Sequence, residues 1–245
     1  MIKFFRRIRH KLLTENNFRK YLLYAIGEII LVVIGILIAL QINNWNDRKQ
    51  QHQSDIEFLN NLKGEIILDT LAFSHQTKWY NEINENVRST LFMIDTSEAL
   101  NEEQIKLISK TIVQAEYLLP VQKNIDRNGL IVASGSIKRL NRDLHYKYLR
   151  YLESIDFSYD LTIKLGDALV TIANNELYPS VDLNFTDDTK SQVTFDLKTL
   201  KNNRTVHNAL QKSIYYRGAI IDVNKPILTR ARSIIEAIDA ILEKE

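Results

Sequence analysis

The chain's strongest pattern is a stretch with no alternation at all. Between positions 21 and 40 Glu28 is the one charged residue, and 29–40 are apolar throughout. At 1.5 Å rise per residue, twenty residues make about 30 Å of helix, the thickness of a bilayer's hydrocarbon core. Residues 21–42 are therefore expected to cross a membrane as a helix. Tyr21 and Tyr24 at one end and Trp45 at the other stand where interfacial aromatic side chains belong. A core helix of a soluble domain is usually shorter and lacks such flanks. A cleaved signal peptide is disfavoured because Ala39, Leu40, Gln41, Ile42 and Asn43 contain no small-x-small cleavage site.

Past the span, apolar residues recur every three or four positions. Ile56, Leu59, Leu62, Ile66, Phe73, Tyr80, Ile83, Val87, Leu91 and Ile94 predict an amphipathic helix that continues directly from the span. Asn101 is a helix start signal, with Gln104 three residues on and Glu102 and Glu103 between. The helix it opens presents Ile105, Ile108 and Ile112 on one side until Leu119-Pro120 stops it. After a connection containing Asn128-Gly129 and Ser134-Gly135-Ser136, a third helix begins at Asn141. It carries Leu144, Tyr148, Tyr151, Leu152, Ile155, Tyr159, Leu169 and Ile172, and Pro179 ends it. Residues 180–203 read as a polar loop with one short strand, Asp187-Asp188-Thr189 forming a turn and Val193, Phe195 and Leu197 alternating. A last helix runs from Val206 to the C-terminus with a kink expected at Pro226. With only 7 Gly and 3 Pro to punctuate turns, a sheet-rich fold is disfavoured. The expected fold is mainly α, an N-terminal transmembrane helix followed by an antiparallel helical bundle.

The formal net charge of +2 hides a partition that fixes orientation. Lys3, Arg6, Arg7, Arg9, Lys11, Arg19 and Lys20 precede the span against Glu15 alone, whereas Arg48 and Lys49 are the only Lys or Arg in 41–53. The positive-inside rule puts the N-terminus in the cytoplasm and exports residues 43–245, into the periplasm of a diderm cell, so the protein is expected in the plasma (inner) membrane. The expected organisation is a basic cytoplasmic segment over 1–20, the span over 21–42 and an exported helical domain over 43–245. Ile2, Phe4, Phe5, Ile8, Leu12 and Leu13 alternate with the basic residues at helical spacing, which suits the anionic face of a lipid bilayer and not a nucleic acid. With no cysteine, thiolate and disulfide chemistry is excluded.

The block Tyr24-Ala25-Ile26-Gly27-Glu28-Ile29, continuing through Val33 and Gly35 to Asn43-Asn44-Trp45-Asn46, resembles the N-terminal signature of a domain-of-unknown-function family of single-pass membrane proteins found mainly in Bacteroidota. The resemblance covers residues 1–46 and implies topology, not activity.

Candidate functional residues fall in two groups. An ionised carboxylate in hydrocarbon costs about 3 kcal/mol on insertion scales, so Glu28 calls for a partner. On a helix it shares a stripe with Val32, Gly35, Ala39 and Asn43, and Gly35-x-x-x-Ala39 lets backbones approach. This face is read as a helix–helix contact, with another copy of the span or with a different membrane protein. The second group is aromatic. Tyr148, Tyr151 and Tyr159 fit the core, while Tyr146 and one of Tyr215 or Tyr216 are expected outside, where they can stack on a sugar or dock an envelope partner.

Catalytic signatures are missing. There is no Gly-x-x-x-x-Gly-Lys-Ser/Thr, His-Glu-x-x-His or Gly-x-Ser-x-Gly, and the residues three before His52, His75, His145 and His207 are Lys49, Ala72, Arg142 and Arg204, not the Glu of a di-iron bundle. The histidines read as surface or boundary residues, and Glu102-Glu103 and Asp187-Asp188 as cap and turn residues. No cofactor or metal is expected. Two functions remain: an anchored interaction or ligand-binding module that self-associates through its span, or an envelope enzyme with a carboxylate and tyrosine cleft. The first is preferred, because the signatures fail and some twenty cytoplasmic residues are too few for a signalling output domain.

Overall fold

A computed structural model describes residues 18–121, 141–185 and 191–244. The basic segment up to residue 17, the Gly-containing connection within 122–140 and the Asp187-Asp188-Thr189 turn lie outside the described residues. The elements in order are α1 (Phe18–Thr96), α2 (Glu102–Gln114), α3 (Arg142–Ile172), β1 (Asp182–Phe185), β2 (Ser191–Thr194), α4 (Leu197–Asn202) and α5 (Arg204–Leu242). The fold is mainly α, with one long apolar N-terminal helix and a helical remainder. The chain divides into two compact units, Met1–Glu57 and Phe58–Glu245.

In the first unit, the described residues belong to the N-terminal part of α1. Its most apolar 18-residue window has a mean hydropathy of 2.6 and none of it is buried within the chain. Residues 43–57 follow as helix despite polar side chains, most of them exposed. Local pairs one turn apart support it: Asn43 donates to Asp47 at 3.0 Å, Gln51 to Asp55 at 2.8 Å, and the Lys49 ammonium lies 5.7 Å from the Trp45 ring centroid.

The second unit is a bundle of three long helices. The stripe expected on α1 is the buried one: Leu59, Leu62, Ile66, Phe73, Tyr80, Ile83, Val87, Leu91 and Ile94 all pack inside. Polar pairs give the direction of each helix. Lys63 meets Asp239, Gln76 meets Asn224, Asn84 meets Arg217 and Asp95 meets His207, so α1 and α5 are antiparallel. Ser158 meets Asn224 and Glu176 meets Lys212, so α5 and the helical stretch begun by α3 are antiparallel too. It follows that α1 and α3 run the same way.

Three apolar clusters stack along the bundle. Leu59, Ile66 and Phe73 join Leu144, Tyr151, Ile227 and Ile234 at one end; Tyr80, Leu118, Leu169 and Ile220 form the middle; Ile83, Ile94, Ile108, Ile112, Leu200 and Val206 close the other end. Each fully buried aliphatic side chain contributes about 1.5–3 kcal/mol.

The start of α2 is as the sequence indicated. The Asn101 side chain accepts from the Gln104 N–H at 2.9 Å, and the Gln104 side chain accepts from the Asn101 N–H at 3.0 Å, a reciprocal capping box. Two expectations for this helix need correction. Ile105 is 42% exposed, because the buried stripe runs through Ile108, Thr111 and Ile112. The helix also stops at Gln114, ahead of Leu119-Pro120, where the following carbonyls turn toward a side chain of α5.

From Asn141, whose side chain accepts from the Leu144 N–H at 2.8 Å, α3 runs to a π-helical turn (Ala173–Leu177) and a 3₁₀ turn (Tyr178–Ser180) around Pro179. The region expected as a loop with one strand holds two paired strands, with Leu183 opposite Val193. Val193 is buried in the end cluster. Alternation does not continue through Leu197, because Asp196 accepts from the Thr199 N–H at 2.9 Å and starts α4. α5 continues through Pro226 as one helix: the proline is exposed, and the exposed Asp222, whose carbonyl loses its helical donor, can take water instead.

These contacts set an ordered series. Replacing Asn101 by Ala is expected to cost about 1 kcal/mol, Ile112→Ala about 2–5 kcal/mol and Ile105→Ala less than about 0.5 kcal/mol, read from denaturant midpoints of the full chain in detergent.

Candidate functional site

The face proposed for the span lies along one side of α1. Val32, Gly35, Ala39 and Asn43 are exposed, and a Cβ built on Gly35 would meet nothing within 4 Å. Glu28 is half-exposed and engaged within its own chain. Asn43 spends its amide on Asp47, one turn along. The Tyr21 and Tyr24 side chains lie outside the described residues, while Trp45 is well exposed at the far end of the apolar stretch.

The aromatic candidates do not converge. Tyr146 is 57% exposed, and Arg150, one turn on, donates to its hydroxyl at 3.0 Å with the guanidinium 5.4 Å from the ring centroid. Tyr215 is 73% exposed, whereas Tyr216 packs partly buried against the middle cluster, so Tyr215 is the outward one of the two. With Tyr151 of α3 bonded to Asp69 and Arg217 of α5 to Asn84, Tyr146 is level with α1 near Gly64 and Tyr215 with α1 near Asn86, a separation of about 33 Å at 1.5 Å per residue. They therefore cannot form one site. Tyr148 and Tyr151 are core residues, and Tyr159 is half-buried. Burial, aided by Asp69, pushes the Tyr151 hydroxyl far above its ordinary pKa, and it donates to Asp69 at 3.0 Å. Tyr148, also raised by burial, stays protonated as well.

What the sequence reading missed is a polar network inside the bundle. Arg217 of α5 is completely buried. Its Nε donates to Asn84 at 2.8 Å, Nη2 to the Ser213 hydroxyl at 2.7 Å, and Nη1 to the carbonyls of Ala115 at 3.0 Å, Tyr117 at 3.3 Å and Gln114 at 3.4 Å. Burial pulls its pKa down to about 10, which leaves it charged at neutral pH. Among the described residues no carboxylate pairs with it. The compensating negative charge is the partial charge of carbonyls at the C-terminal end of α2.

One layer along, Tyr80 and Gln76 both donate to the Leu119 carbonyl, at 2.6 and 2.7 Å. Asn224 donates to Gln76 at 2.7 Å and accepts from Ser158 at 3.0 Å. Gly166 completes the fit, since a Cβ there would lie 3.0 Å from the Leu118 carbonyl oxygen. Segment 115–119 thus lies against the bundle, its carbonyls held by α1 and α5 while the Tyr117 and Leu119 side chains stay exposed. A signal for this was present: Leu210, Arg217, Asn224, Ala231 and Ile238 recur every seven residues on the apolar stripe of α5, and all five are buried.

Other sites are modest. Two surface hollows of about 680 and 640 Å³ are lined by Ser74, Asn81, Glu85 and Leu228, and by Leu71, His75, Trp79 and Leu119. Neither includes Tyr146 or Tyr215. No three His, Cys, Asp or Glu among the described residues are grouped to hold a metal ion. His52 and His75 are exposed, while His145 and His207 are half-buried.

Removing the guanidinium strands several buried acceptors, each costing about 1–3 kcal/mol. Arg217→Met is therefore expected to lose at least about 3 kcal/mol. Arg217→Lys keeps the charge without the planar fork and is expected to fall between wild type and Met; equal unfolding midpoints for Lys and wild type would contradict the role given to the fork.

Comparison with known proteins adds a family match. No curated protein and no solved structure matches the chain. Residues 28–145, just under half of the chain, from Glu28 in the apolar part of α1 to the first turn of α3, match a family of unknown function (DUF6090).

Proposed function

We propose that this is a single-pass membrane protein of the plasma (inner) membrane, its N-terminus cytoplasmic and its helical domain exported, serving as an interaction or ligand-binding module that self-associates through the span. The observation that carries the reading is the apolar part of α1: its hydropathy of 2.6 and complete exposure within the chain fit a lipid environment and no core. The seven basic residues ahead of it support the orientation. The signature of the block 24–46 supports a place among single-pass membrane proteins. The open face at Gly35 and Ala39 supports close helix approach, with another copy of the span as the occupant or a second membrane protein in its stead.

The absence of native cysteine makes topology directly measurable. In intact spheroplasts, Ser54→Cys is expected to react with a membrane-impermeant maleimide and Thr14→Cys only after lysis; the reverse pattern would overturn the orientation. In a membrane association assay, Glu28→Leu and Gly35→Leu are each expected to weaken dimerisation by about 3- to 30-fold. Unchanged association in both variants would overturn the reading of this face as the contact.

A further inference from the structure

At the end of the bundle opposite Leu59, His207 joins α5 to α1. Its Nε2 lies 2.7 Å from Asp95 Oδ1, and its Nδ1 lies 2.9 Å from the Asn203 carbonyl oxygen. A carboxylate and a carbonyl only accept, so each ring nitrogen needs a hydrogen to bond its neighbour. Neutral imidazole has one N–H, and only the imidazolium satisfies both contacts. The corner it fastens is otherwise held by apolar packing of Ile94, Leu200 and Val206 and by Lys201, whose Nζ is 3.5 Å from the Ser97 carbonyl oxygen.

We propose that His207 and Asp95 form a proton-operated clasp between the C-terminal end of α1 and the N-terminal end of α5, closed when His207 is protonated and loosened when it is neutral. The charged groups around it leave Asp95 as the partner. Asp95 faces the ring from α1; Lys201 of α4 turns to Ser97, while Arg204, one turn earlier on α5, and Glu98, in the connection to α2, are exposed. Partial burial of the ring opposes its charge, but the bonds to Asn203 and Asp95 outweigh it and raise its pKa above the ordinary value of 6.5. A folded-state pKa above the unfolded one gives stability that is fully present below about pH 6.5 and is lost as pH rises through the folded value. Asp95 is largely exposed and His207 partly so, which keeps the pair open to protons from solvent. On the reading of an exported domain, the clasp would respond to the acidity of the compartment outside the membrane, which the cytoplasm does not buffer.

The test uses the purified full chain in detergent, so it is independent of topology. Side-chain NMR titration, with the His207 signal assigned by its loss in His207→Gln, is expected to place His207 above the ordinary histidine value, and Asp95→Asn to bring it back down. The thermal midpoint is expected to fall by about 2–4 °C between pH 6 and pH 8 in wild type and to stay level in Asp95→Asn. Since Asp95 is exposed, that variant keeps the test intact even if His207→Gln folds poorly. A His207 titration at or below the ordinary value, or identical pH profiles in wild type and Asp95→Asn, would overturn the clasp.

Discussion

With no carboxylate paired to it among the described residues, the buried Arg217 guanidinium is neutralised by dipoles, and that need organises the middle of the bundle. Three carbonyls from Gln114 to Tyr117, the Asn84 amide oxygen and the Ser213 hydroxyl surround it, so α1, α5 and the chain leaving α2 meet at a single side chain. Those carbonyls face Arg217 where α2 ends, and the Gln114 carbonyl also accepts from the Tyr117 N–H in a last tight turn. The chain then passes Leu118 against Gly166 and delivers the Leu119 carbonyl to Tyr80 and Gln76. Buried acceptors are costly to leave unpaired, so the path of this segment and the register of α1 against α5 are set together.

The path of this segment goes with the sense of the helices. α2 and segment 115–121 intervene between α1 and α3, and α3 starts at the same end of the bundle as the Phe58 end of the second unit's α1 portion. Apolar clusters at both ends do most of the stabilising, and they impose little direction by themselves. Polar pairs from Lys63–Asp239 to Asp95–His207 fix which residue of α1 lies beside which residue of α5. At one end this includes the histidine whose two acceptors demand a second proton.

Much of the fold was legible because it follows local rules. The spacing of Leu59 to Ile94 named the buried face of α1, and Asn101 and Asn141 announced their helices through side chains that reach only three residues. The expectations that shifted were decided by neighbours distant in sequence. Ile105 has the right spacing yet lies beyond the buried stripe, and Val193 is drawn into a paired strand whose partner Leu183 the alternation did not announce. Tyr216 turns inward and Tyr215 outward because α5 presents one face to the middle cluster. The aromatic candidates looked like a group in the sequence only because nothing there gives the distance between levels of a bundle.

The sequence by itself determined an apolar helix long enough to cross a membrane, the charge imbalance across it, and a mainly helical remainder, since hydropathy, charge and period are properties of neighbouring residues. Only the tertiary structure decided that α1 and α3 run in the same sense, that α2 ends at Gln114, and that Arg217 and Asn224 on an apolar stripe are held by Asn84, Gln76 and Ser158. The physical reason is the same in each case: a buried polar group takes whatever partner the packed helices bring within about 3 Å, and that partner lies up to 148 residues away in the chain.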